Sequence, residues 1–398
     1  MMLTKVEGPN ALGNKVFTFA GQYALEVPQR YDVRDFIGRG AYGVVCSAVD
    51  TDTEDLVAIK KISRLLEDPV DAKRVLREVK LLGFLDHPNI LRLTDLGRPP
   101  NPESFNDLYV FTELMETDMQ EMLRSTKTRL KAGHCQYFGL QLLCALQYLH
   151  SAHVVHRDLK PANLLTDADC NLKLCDFGLA RGMDTEMTNY VVTRWYRPPE
   201  LLLVCGRYGA GVDLWGAACL TVEMVTGKVL FPGKDYIHQL NLIVQLLGVP
   251  EVRRDLPMCT SKEAIAYLAS LPKTGAQTLE AYVPELRHRF DEDSFFDSFD
   301  EPLEDEAPIP RRSHADYYSM FEDFVLGMLQ YSPDRRTSAK DSIAHPWLLD
   351  VRGPLKEVEG CEAGKTFHWD KDSERLTTEE LRQLFLDEIN DFHKRKGK

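Results

Sequence analysis

The chain has 398 residues, 44% hydrophobic and 27% charged, a length that exceeds one ordinary core and suits about two domains. Its 48 Lys and Arg face 61 Asp and Glu, a formal charge of −13. An acidic surface repels phosphate backbones, which argues against nucleic acid as a partner. Nine cysteines without a CxxC pair read as reduced, buried thiols. No apolar leader opens the sequence and no run approaches the ~18 residues of a membrane span, so a soluble protein of the cytoplasm or nucleus is expected.

Residues 1–30 carry few signals and are expected to form an arm or an added strand. From Tyr31 the pattern turns to short β-branched runs. Phe36-Ile37 leads into Gly38-Arg39-Gly40-Ala41-Tyr42-Gly43-Val44-Val45, and Leu56-Val57-Ala58-Ile59-Lys60 follows after a turn at Thr51-Asp52-Thr53. Glycines let a hairpin close over phosphates where a Cβ would clash. No helical pattern opens directly after them, which argues against a Rossmann turn. Asp68 to Leu85 reads as a helix with Ala72, Val75, Leu76, Val79 and Leu82 on one face, and it carries Arg77 and Glu78. Leu108 to Phe111 reads as a strand. His134 to Ser151 is apolar nearly all round and reads as a buried helix.

The chemistry concentrates between Val154 and Glu200. His156-Arg157-Asp158-Leu159-Lys160 supplies a carboxylate for a nucleophile's proton. Asn163, and Asp176 in Asp176-Phe177-Gly178, are oxygen donors suited to Mg²⁺. Thr188 and Tyr190 follow, among arginines. Further on, an acidic run from Asp291 to Glu306, ahead of Pro308 and Pro310, makes 291–314 a solvated loop, or else a docking surface for a basic partner. Thr377 and Glu380 fit a capping box for a helix through Phe392 with Leu381, Leu384, Phe385, Ile389 and Phe392 in one stripe.

These motifs resemble those of eukaryotic protein kinases. Thr188-Asn189-Tyr190 followed by Val-Val-Thr-Arg-Trp-Tyr-Arg resembles the MAP kinase branch. The resemblance covers about residues 25–393 and implies an α+β, bilobal protein kinase fold. It places an N-terminal extension at 1–30, a small β-rich lobe with one main helix at 31–112, and a larger, mainly helical lobe at 113–349. That lobe includes an insert shared by cyclin-dependent, glycogen-synthase and MAP kinases. A C-terminal extension, 350–398, would pack back on the small lobe.

The same resemblance implies ATP and Mg²⁺. Ile37 through Val45 with Ala58 would surround the nucleotide. Lys60, paired with Glu78, would reach the α- and β-phosphates. Thr112 to Met115 would be a hinge, Thr112 lining the back of the adenine pocket and Glu113 and Met115 bonding adenine. Asp158 would take the substrate hydroxyl's proton, Lys160 would meet the γ-phosphate, and Asn163 and Asp176 would hold the metal. Arg77, Arg157 and Arg181 would surround a phosphate on Thr188, and Arg194 and Arg197 one on Tyr190. Asp213 would anchor the catalytic loop and Glu200 would pair with Arg336. Partners implied are proteins with Ser/Thr-Pro sites, an upstream dual-specificity kinase and phosphatases, acting on a monomer.

Four departures stand out. Pro198 replaces the usual Ala; Gly216 and Ala218 stand where the family has Ser and Gly. The acidic pair expected after His345-Pro346-Trp347-Leu348 falls on Gly353 and Lys356, and Asn189 fits no well-known subgroup. Rival readings are a cyclin-dependent or glycogen-synthase-type kinase, and a nucleotide-binding scaffold without catalysis.

Overall fold

In a computed structural model the protein is described at residues 3–10, 13–39, 43–125, 129–182, 193–203, 209–296, 312–351, 365–368 and 375–397. The chain divides into two compact units: residues 1–116 with 369–398, and residues 117–368. The first is sheet-rich and the second mainly helical, so the fold is α+β.

In the first unit, β1 (Leu3–Glu7), β2 (Asn14–Phe19) and β3 (Tyr23–Pro28) form an antiparallel sheet. The arm expected for residues 1–30 is thus three strands. Two short period-two patterns, Phe17 with Phe19 and Leu25 with Val27, carry it; all four side chains are buried in one cluster with Tyr31, Val33, Ile59 and Phe111. A five-stranded sheet follows in the order β4 (Tyr31–Arg39), β5 (Gly43–Asp50), β6 (Leu56–Ser63), β8 (Asp107–Glu113) and β7 (Leu93–Leu96). The strand expected at 108–111 runs on to Glu113 because pairing with β6 continues through Ala58↔Thr112 and Val57↔Glu113.

Helix α1 (Pro69–Phe84) starts where Asp68 accepts hydrogen bonds from the Val70 and Asp71 N–H groups and Pro69 presets the first turn. Its five anticipated apolar positions are all buried. The C-terminal helix, Thr378–Arg395, opens on the capping box: Thr377 Oγ1 accepts from the Glu380 N–H at 3.2 Å and Glu380 Oε2 accepts from the Thr377 N–H at 2.7 Å. Leu381, Phe385, Ile389 and Phe392 are buried, while Leu384 is only half-buried. Glu388, in the same stripe, is buried between Lys80 Nζ at 2.7 Å and Arg395 Nη2 at 2.9 Å.

In the second unit, β9 (Thr117–Asp118) pairs with β11 (Leu164–Thr166), which pairs with β12 (Leu172–Leu174). Asp118 caps α2 (Met119–Arg124). The core is built on α3 (Ala132–Ser151) and α5 (Gly211–Thr226), preceded by the short α4 (Pro199–Leu202). Gly227 ends α5 in the left-handed region at φ 72°. The acidic stretch is not loop throughout. Asp293–Phe296 is a helical turn with Phe295 fully buried against Phe290, and Ser313 caps a helix over His314–Met328. Phe295 and Phe296, adjacent inside the acidic run, outweigh its charge there; residues 297–311 lie outside the described set.

The Glu200–Arg336 pair is bidentate, at 2.7 and 2.6 Å, with both side chains wholly shielded from solvent. Arg336 also donates to the Gly211 and Gln330 carbonyls at 2.7 and 2.9 Å and lies over the Trp215 ring. Few of its donors are left over, which offsets the desolvation of the pair. Arg336→Met should therefore strand a buried carboxylate and lower stability by about 3–5 kcal/mol in denaturant titration. A loss near the ~0–1 kcal/mol of a surface pair would contradict this account.

Candidate active site

In the first unit the site is made by one face of the five-stranded sheet and by α1. Residues two apart in a strand share a face, and directly paired residues do too. Ala58 and Lys60 of β6 thus share a face with Val45 of β5 and Thr112 of β8, through the pairs Val45↔Lys60 and Ala58↔Thr112. Lys60 Nζ meets Glu78 Oε1 of α1 at 2.9 Å. Ile37, Gly38 and Arg39 end β4, with bulges at Val33/Phe36 and Phe36/Gly38, and Gly43, Val44 and Val45 begin β5. Gly40, Ala41 and Tyr42 lie outside the described residues. Gly43 has a packing reason of its own: a Cβ there would sit 1.7 Å from the Lys61 carbonyl oxygen.

The residues expected to form the hinge lie at and just past the end of β8. Thr112 and Glu113 belong to β8, and Glu113 Oε1 accepts from the Arg92 N–H at 2.7 Å. Leu114 and Met115 follow the strand, with the Leu114 N–H donating to Leu56 at 3.3 Å.

In the second unit β10 (Val154–Val155) leads into the turn that carries Asp158, pairing with Arg181–Gly182 in the register Val155↔Arg181. Arg157 and Asp176 both hold positive φ, 73° and 65°, a conformation that side chains adopt at a cost and that surrounding contacts must maintain. For Arg157 the holding group is Asp213 of α5, 1% exposed. It accepts the N–H groups of His156 at 2.9 Å and Arg157 at 2.8 Å, and contacts His150 Nε2 at 3.0 Å. Gly216, one turn further along α5, lets Leu159 approach so closely that a Cβ would lie 3.0 Å from it. His156 reaches the Cys175 carbonyl at 3.0 Å and packs edge-on against Phe177, so the loop bearing Asp176 is braced by the same turn.

Asp158 is buried within this frame. Its Oδ2 accepts from Lys160 Nζ at 2.5 Å and from Asn163 Nδ2 at 3.2 Å; its Oδ1 accepts from the Thr193 N–H at 3.4 Å and Oγ1 at 3.2 Å. Asn163 Nδ2 also donates to the Asp158 carbonyl at 2.8 Å. With its amide hydrogens committed, Asn163 keeps Oδ1 for another partner, and Asp176 presents an exposed carboxylate. Two hard oxygen donors suit Mg²⁺, which takes few protein ligands beside phosphate oxygens. Thr193 escaped the sequence reading; its place in the Val-Val-Thr-Arg-Trp-Tyr-Arg run was the available signal.

Thr188 and Tyr190 lie outside the described residues, so the five arginines are seen without them. Arg77 and Arg157 are buried, and Arg181 Nη1 donates to the Ala180 carbonyl at 2.9 Å. Arg194 and Arg197 both lie over the ring of Tyr236, at 5.3 and 5.1 Å, and Arg194 donates to the Lys234 carbonyl at 2.6 Å. Tyr236 carried no signal beyond its position in the insert. Gly353 and Lys356 also lie outside the described residues. Of the described cysteines, Cys46, Cys135, Cys144, Cys219 and Cys259 are buried and Cys170 and Cys175 half-buried; none forms a disulfide.

The protein kinase domain model matches residues 31–348. The chain is 42% identical over 358 residues to a mitogen-activated protein kinase homolog, NTF6, of Nicotiana tabacum, covering 89% of this chain and 87% of that one. It is 41% identical over 387 residues to mitogen-activated protein kinase 4a of Physcomitrium patens, covering 94% and 93%. To mitogen-activated protein kinase 3 of Arabidopsis thaliana it is 41% identical over 358 residues, covering 88% and 86%.

Burial alone would raise the pKa of Asp213, but the bond and charge of His150, the nearby His156 and the Arg157 N–H outweigh it and hold the carboxyl below its ordinary value. A depressed carboxylate contributes stability above its unfolded pKa, about 3.9, and loses it as pH falls through the folded value. The stability gap between wild type and Asp213→Asn should thus be wide at pH 7 and shrink as pH falls below about 4. A gap independent of pH, measured by urea titration, would refute the assignment.

Proposed function

The chain belongs to the protein kinase family, in its mitogen-activated branch, and on that premise we propose how its residues divide the reaction. It is a protein serine/threonine kinase, using ATP as phosphoryl donor. Asp158 orients the substrate hydroxyl and takes its proton as the oxygen attacks the γ-phosphorus and the bond from that phosphorus to the β–γ bridging oxygen breaks, with ADP as leaving group. Lys160, already against that carboxylate, meets charge on the transferred group. Lys60, aimed by Glu78, binds the α- and β-phosphates. Asn163 and Asp176 would hold Mg²⁺, which would neutralise phosphate charge. The backbone of Glu113 and Met115 bonds adenine.

One observation carries this reading: Asp158 is buried and held on both oxygens by Lys160, Asn163 and Thr193. Its orientation is therefore set before a substrate arrives, and positioning is most of what phosphoryl transfer asks of a protein. Asp158→Asn keeps the shape and removes the proton acceptor. It should lower kcat by about 10²–10⁴-fold with ATP affinity retained. Turnover within tenfold of wild type, in protein verified as folded, would sink the assignment.

The switch and the specificity belong to the same proposal. Phosphates on Thr188 and Tyr190, placed by an upstream dual-specificity kinase and removed by phosphatases, would meet the Arg77, Arg157 and Arg181 group and the Arg194 and Arg197 pair. Substrates should carry Pro after the phosphoacceptor. By the resemblance to this family, Arg197 would occupy the backbone carbonyl of Val192. A substrate N–H there finds no acceptor, a penalty of about 1–3 kcal/mol, whereas Pro has no N–H to strand. A peptide array run with unmodified and doubly phosphorylated enzyme tests both. Strong phosphorylation by the modified form alone, confined to Ser/Thr-Pro peptides, is expected. Equal activity of the two forms, or another residue preferred at that position, would overturn the corresponding half.

A further inference from the structure

The buried acid of the C-terminal helix has no part in the chemistry above, yet it touches the element that carries part of it. Glu388 is 6% exposed. Its Oε2 accepts from Lys80 Nζ of α1 at 2.7 Å and its Oε1 from Arg395 Nη2 at 2.9 Å. The helices meet closely there: a Cβ on Gly83 would lie 3.1 Å from Arg395 Nη2 and 3.3 Å from Glu388 Oε1. Lys80 and Gly83, three residues apart, share a face of α1. Glu78, two residues before Lys80, projects from another side, where it holds Lys60 at 2.9 Å. Helix α1 is therefore gripped by charge on two sides.

Attachment of the C-terminal helix does not need this acid. The apolar stripe of Leu381, Phe385, Ile389 and Phe392 is buried, and His393 Nε2 reaches the Leu96 carbonyl at 2.8 Å. Apolar contacts hold two helices together but tolerate sliding, whereas a buried, directional ion pair specifies register. Slipping α1 by one residue moves it 1.5 Å along its axis. That displacement is enough to part Glu78 from Lys60.

We propose that Glu388, through Lys80, is a positioning residue that sets the register of α1 and thereby the Lys60–Glu78 pair that receives the nucleotide. The proposal rests on the reading of Lys60 as the phosphate-binding lysine. Lys80→Met should act as Glu388→Gln does, since each removes one side of the same contact.

The test is a double-mutant cycle in the full-length protein, read by calorimetric affinity for a non-hydrolysable ATP analogue with Mg²⁺ and by KM for ATP. Glu388→Gln alone should weaken nucleotide binding about tenfold, with kcat at saturating ATP changed less. In a Glu78→Gln background the same substitution should have little further effect, because the pair it positions is already lost. A purely structural role predicts lower stability with nucleotide affinity unchanged, or effects that add; either outcome overturns the proposal. If Glu78→Gln and Lys60→Met themselves leave nucleotide affinity intact, the reading of the nucleotide site fails instead, and the proposal with it.

Discussion

One carboxylate underlies the turn that carries Asp158. Asp213 lies inside α5, and an acid there is costly unless each oxygen is used. It is used on the N–H groups of His156 and Arg157 and on the His150 ring. Those bonds offset the desolvation of the acid and at the same time hold Arg157 in a conformation it would otherwise leave. Asp158, Lys160 and Asn163 then follow in positions that the turn dictates. The Asp158 carboxylate thus borrows its rigidity from α5, through the turn that Asp213 holds.

Much of this was legible in the residues. The helices around Val75 and Leu142, the capping box at Thr377 and the Glu200–Arg336 clasp follow from periodicity, cap chemistry or motif. The periodicity and cap signals are local or repeat within a single element, whereas the clasp joins residues 136 positions apart and followed only from the family resemblance. What could not be read was set by pairing over distance. Strand β8 runs two residues beyond its β-branched core because β6 continues beside it. Thr193 reaches Asp158 across 35 positions, and a threonine in a loop announces no partner. Tyr236 accepts two guanidinium groups on its ring for reasons of position, since its neighbours in sequence contain neither arginine.

Glu388 illustrates the same limit from the other side. On a helical wheel it falls within the apolar stripe, where an acid announces no partner. Only the presence of Lys80 and Arg395 makes its burial tolerable. The Phe295-Phe296 pair inside the acidic run is the converse case. Composition said solvent, and two rings in a stretch of like charge were enough to pull one turn into the interior.

The first unit is discontinuous: its sheet and α1 come from the opening third of the chain, and the helix that covers them from the last residues described. Lys80 and Glu388 are 308 positions apart. During synthesis the flank of α1 at Lys80 and Gly83 must wait, uncovered, while the whole second unit is made. At about 5–20 residues per second that interval is tens of seconds, far longer than a hairpin or helix needs to form. The small unit is therefore begun first and finished last. During that interval the nascent chain exposes the surface of α1 and β7 that the last helix will cover, which holding chaperones are suited to shelter.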